Sequence, residues 1–113
     1  MSGHDSHREF FSALIQTLKD LHRTSDGPFP KAVVVESLPE AVKAAYVGDG
    51  DDSPKKNVAD WFDAAYSMMK KKDEGHEYRD ANANYVEAHR DLLEQVERTG
   101  EQGNYSYRLA KHG

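Results

Sequence analysis

The chain has 113 residues, a formal net charge of −5 and no cysteine. Without cysteine it has no disulfides, no thiolate metal sites and no thiol nucleophile, and an acidic balance argues against affinity that rests on neutralising phosphates. The hydrophobic share of 37% against 31% charged residues is polar for a globular protein yet above the disordered class, so the expectation is one folded domain, 1–113, burying roughly two-thirds of its unfolded surface.

No apolar run approaches the ~20 residues of a membrane span. The opening MSGHDSHRE lacks the charged and apolar regions of a signal peptide. The expectation is a soluble, cytoplasmic protein with flexible ends at about 1–5 and 111–113.

Ser6 and Glu9 form a capping box, and Phe10, Phe11, Leu14, Ile15, Leu18 and Leu21 follow at helical spacing, predicting a first helix with one inward stripe. Ser25, Asp26, Gly27, Pro28 and Pro30 end it. Phe29, between two prolines, either plugs the loop onto the core or offers a rigid aromatic binding surface.

The segment 31–47 joins a strand signal to a helix signal. Ala32 to Val35 are apolar and β-branched, predicting a buried strand over 32–36. Ser37 and Glu40 then read as a capping box before the helical pattern Leu38, Ala41, Val42, Ala45, Tyr46. The acidic loop 48–54 places Asp49, Asp51, Ser53 and Asp60 at EF-hand ligand positions, but Pro54 stands where the loop needs glycine, which excludes calcium of that type.

A third helix over 58–72 carries Val58, Trp61, Phe62, Ala65 and Met69 on one stripe, flanked by Tyr66 and Met68. A small domain is expected to bury its single Trp, so this stripe reads as core, with a partner groove as the alternative. Lys70, Lys71 and Lys72 complement the helix dipole at its end. A fourth helix over 78–98 turns Tyr78, Tyr85, Val86, His89, Leu92, Leu93 and Val96 inward, while Asn82 and Asn84 leave its first half facing water or a partner. Gly100 and Gly103 end it. The tail 104–110 alternates Tyr105, Tyr107 and Leu109, predicting a second strand that would pair with 32–36.

Chemistry is sparse. His76 and Glu77 open a zinc-protease motif that fails at Asp80, leaving His76, Asp80 and His89 as the one loose metal set, and Ser2, Gly3 and His4 would suit copper or nickel only if Met1 is removed. There is no serine elbow and no phosphate-cradling glycine loop. A helix-turn-helix around Gly75 with Lys70 to Lys72 is the nucleic-acid reading, weakened by a second helix that offers only Arg79. No catalytic residue, metal ligand or cofactor is assigned.

Val34, Val35, Glu36 and Ser37, followed by Leu38, Pro39, Glu40 and Val42, resemble a segment of phage uracil-DNA glycosylase inhibitors, in which a strand ends in Glu-Ser before a Leu-Pro-Glu helix. The resemblance covers residues 33–47 only. It implies that Glu36 and Ser37 enter a DNA-binding groove behind an acidic, DNA-like surface.

The fold expected is α+β and mostly helical: four helices, a short strand at 32–36 and a second from the tail at 104–110. The function expected is a small non-enzymatic regulator or inhibitor that binds another protein through amphipathic helices and an open strand edge. Its partner-binding residues are Glu36, Ser37, Phe29, Asn82, Asn84 and Tyr85. The alternatives are a DNA-mimic inhibitor of a nucleic-acid enzyme and a helical nucleic-acid-binding regulator. Homo-oligomerisation stays open, since a second copy would complete an unpaired strand.

Overall fold

The computed structural model describes residues 3–46, 58–75 and 80–110, with side chains over 7–45, 60–75 and 83–110. The architecture is α+β and mostly helical, as the sequence predicts: helices α1 (Gly3–Leu21), α2 (Lys31–Ser37), α3 (Glu40–Tyr46), α4 (Val58–Asp73) and α5 (Asp80–Leu93) surround a small sheet of β1 (Phe29–Pro30), β2 (Val96–Thr99) and β3 (Ser106–Leu109). The acidic loop 48–54, Tyr78, His76 and the last three residues lie outside the described residues.

α1 buries Phe10, Phe11, Leu14, Ile15 and Leu18, the stripe expected of it. Its helical geometry reaches back to Gly3, so Ser6 lies inside the helix and not at its cap. Phe62, Ala65 and Met69 of α4 and Tyr85, Val86, His89, Leu92 and Leu93 of α5 close over this stripe. Trp61 does not join them and stays 47% exposed. Tyr66, five residues on, is buried instead, its hydroxyl accepting the Arg98 amide of β2.

The strand expected over 32–36 is a helix. A strand of three consecutive valines needs apolar cover on both faces, and this domain has one core layer to offer. Helical geometry instead puts Val34 and Leu38, four residues apart, into the core at 0% and 3% exposure and leaves Val33 outside. Pro30, extended at φ −55°, ψ 144°, stands at the N-cap and presets the entry. Ser37 is not a cap for the following helix: its hydroxyl donates to the Val33 carbonyl one turn back (2.8 Å), while the Pro39 carbonyl accepts the first amides of α3, from Val42 and Lys43.

The tail strand forms as expected, but its partners differ. β3 is the central strand of the order β1-β3-β2, antiparallel to both neighbours, pairing Val96 with Leu109 on one side and Phe29 with Tyr107 on the other. α5 therefore ends at Leu93, before the expected 98. Val96 is buried in either geometry, which is why helical spacing from Leu92 runs past the true end. Gly100 turns the β2–β3 hairpin at φ +92°, where an added Cβ would collide with the Asn104 carbonyl oxygen.

Candidate functional site

Two features of the surface join side chains from several elements. The first is an aromatic face built by α1, α4 and α5. Trp61 stacks on Tyr85 with ring centroids 5.6 Å apart and planes at 29°, and His7 lies 5.6 Å from the Trp61 ring. Tyr85 is buried, and its hydroxyl meets His7 Nδ1 at 2.6 Å. Burial raises the Tyr85 pKa well above 10.0, so the phenol keeps its proton and is able to donate to that nitrogen. One turn on, the fully buried His89 ring lies 4.4 Å from the Tyr85 ring and donates from Nδ1 to the Tyr85 carbonyl (2.8 Å). The backing of Trp61 is thus fixed by packing and by hydrogen bonds from two helices.

The second feature is a charge cluster at the floor of a cleft of about 840 Å³ between α4, the start of α2 and the β2–β3 loop. Asp63 is its centre. The Tyr107 hydroxyl donates to Oδ1 at 2.5 Å, Lys31 Nζ donates to Oδ2 at 2.7 Å, and Arg98 Nη1 lies 3.5 Å from Oδ1 while donating to the Asp63 carbonyl at 2.9 Å. Arg98 Nη2 donates to Ser67 Oγ, and its guanidinium is held between the Tyr66 and Tyr105 rings, 4.6 and 3.9 Å from their centroids. Burial alone would lower the Lys31 pKa. Hydrogen bonds and charges from Asp63 and Asp60 outweigh it and hold the ammonium above its ordinary 10.5. Burial first, and then the charge of Asp63, push the Tyr107 phenol far above 10.0. With both carboxylate oxygens engaged, Asp63 ties four elements together.

The residues expected to bind a partner do not form one site. Phe29 is buried against the His22 ring, centroids 5.0 Å apart, so it plugs the loop. Glu36 and Ser37 are exposed at the end of α2, where the Glu36 carbonyl and carboxylate both meet Lys43. Asn84 is exposed on α5 beside Tyr85, and the Asn82 side chain lies outside the described residues. The open edge is missing where it was expected. Pro30, without an amide, occupies one edge of the sheet, and at the other the Arg98 amide donates to the Tyr66 hydroxyl (3.1 Å).

Trp61 is the residue of the aromatic face that sequence reasoning misplaced. Its signal was the i, i+4 pairing with Ala65, which also fits a residue one step off the core stripe. Lys31, Asp63 and Arg98 were not singled out at all, because they meet only when the sheet forms. Of the metal set, His76 and the Asp80 side chain lie outside the described residues; among those described, no three His, Asp or Glu side chains gather.

No family model, curated protein or solved structure matches this chain. Among the described residues no helix is long and apolar enough to cross a membrane.

Proposed function

We propose that this chain is a small non-enzymatic regulator that binds another protein through the face of Trp61, Tyr85 and Asn84. The observation carrying the reading is Trp61, 47% exposed yet stacked on a ring that is itself buried. Trp and Tyr dominate interface hot spots because they offer large apolar area at low conformational cost. Here the stack already holds Trp61, so binding need order little more. Asn84 gives the face a polar rim.

The test is affinity capture from the source cells with the native chain and with Trp61→Ala, both checked for unchanged circular dichroism and melting. A partner held by the native chain and weakened at least tenfold by W61A, about 1.4 kcal/mol or more, is the expected result. A partner retained equally by both, or no partner held by the native chain, removes the reading. The DNA-mimic version rests on Glu36 and Ser37, both exposed, and Glu36→Ala with Ser37→Ala tests it separately: uracil excision untouched by the native chain ends that version.

A further inference from the structure

We infer that the cleft beside Asp63 is a binding site for a neutral polyhydroxylated ligand of the size of a mono- or disaccharide. This inference is independent of the Trp61 face. Asp60, Asp63, Ala64 and Ser67 stand at i, i+3, i+4 and i+7 of α4, so one continuous stripe of that helix forms a wall. The opposite wall is the β2–β3 loop with Asn104 and Tyr105, continued by Ser106 at the start of β3. That loop is firmly placed: the Lys31 amide donates to the Tyr105 carbonyl (3.0 Å), the Asn104 amide donates to the Glu101 carbonyl (2.7 Å), and Arg98 stacks on the Tyr105 ring. Ala64 keeps the floor open. A volume of about 840 Å³ lies within the range of small-molecule sites.

Charge selects the ligand class. Lys31 and Arg98 offset Asp60 and Asp63, so a charged ligand gains no net Coulomb attraction here. Hydrogen-bond capacity is left over, however. Ser67 accepts from Arg98 and still has its own proton to give, and Asp60 uses one oxygen on Lys31. The side chains of Asn104, Tyr105 and Ser106 form no hydrogen bond with another described residue. Hydroxyl and amide groups both donate and accept, which matches vicinal hydroxyls, each of which also does both. A peptide segment, the other neutral polar ligand, would gain main-chain pairing at a strand edge, and here Pro30 offers no amide at one edge while the Arg98 amide at the other is already bound to the Tyr66 hydroxyl.

The experiment is an amide-resolved NMR titration of the full chain with glucose, maltose, cellobiose and sucrose, and with a capped triglycine as the peptide probe. The expected result is saturable shifts confined to 60–67 and 102–106 for at least one sugar. Its Kd should be about 1 mM or tighter, unchanged by salt, and weakened at least tenfold by Asn104→Ala with Ser106→Ala at an unchanged melting temperature. These two side chains make no hydrogen bond with another described residue, so the variant should fold; Ser67→Ala probes the opposite wall should the loop variant fail. Any of four results overturns the inference: no saturable shift with any of the four sugars, affinity unaltered by both variants, affinity that falls steeply with salt, or capped triglycine bound as tightly as the best sugar.

Discussion

Asp63 is where a single side chain decides most. Its carboxylate is only 14% exposed and accepts from Tyr107 and Lys31, with Arg98 beside it. Asp63→Ala would leave the buried Tyr107 hydroxyl without its acceptor and take one of two carboxylates from Lys31 and the nearby charge from Arg98, a loss of about 3 kcal/mol, read from urea unfolding. Tyr107→Phe removes one bond to a charged acceptor and should cost about 1.5 to 2 kcal/mol. The double variant should cost clearly less than the two together, since the bond lost in one is already absent in the other. Additive losses, or an Asp63→Ala cost below about 1 kcal/mol, would demote the cluster to a surface ion pair. Two residues of this cluster, together with Tyr85 of the aromatic face, set the alkaline limit. Lys31, Tyr85 and Tyr107 all have folded pKa values raised above 10.5, 10.0 and 10.0. Raised groups stabilise fully below their unfolded values and lose that contribution as pH climbs toward the folded ones. Stability should therefore hold up to about pH 10 and fall beyond it, with the phenolate absorbance of these two tyrosines rising together with loss of circular dichroism. Two tyrosines ionising early with the fold intact would contradict this.

At the scale of elements, α2 is the informative case. Its three valines carry strand propensity, and the helix wins because it buries Val34 fully, packs Val35 against the core part-buried and leaves only Val33 outside. Val34→Ala should cost about 2 kcal/mol or more, whereas Val33→Ala should be neutral or stabilising by up to about 0.5 kcal/mol, since alanine is the better helix former at an exposed site. A strand at this position would make Val33→Ala destabilising through lost β propensity, so thermal melts of the two variants separate the geometries. What was legible here was spacing. The i, i+4 pair Val34 and Leu38 is visible in the sequence, as are the α1 stripe, the α5 core residues and the alternation of the tail. What was not legible was competition: whether 32–36 or 96–99 pairs with the tail depends on which segment finds a core behind it. The hairpin glycines Gly100 and Gly103 read equally well as the end of a helix. For the same reason the Trp61 face and the Asp63 cluster could not be read from spacing, since each is completed by residues more than twenty positions away.

Across the whole molecule, the last strand carries more of the fold than its position suggests. β3 lies between β1 and β2 and, among the described residues, supplies the one strand partner of each. Tyr107 is 2% exposed and reaches Asp63 on α4, Arg108 pairs with Glu97 across the hairpin, and the Leu109 amide donates to His22 Nε2 (3.1 Å) just beyond α1. Removing this strand would unpair both neighbours, expose the Phe62 ring that packs edge-on against Tyr107, and strip Asp63 of its hydroxyl donor. Ending the chain after Gly103 should therefore abolish cooperative unfolding and near-ultraviolet dichroism, whereas ending it after Ala110 should preserve both. The contrast is sharp because the two truncations differ by seven residues, of which four form the strand. Helices α1, α4 and α5 keep their mutual apolar contacts in either case, so some helical signal should survive the shorter truncation. A cooperative urea transition in the chain ending at Gly103 would mean that the helices fold alone and that the sheet, the Asp63 cluster and the cleft are additions to a self-sufficient bundle.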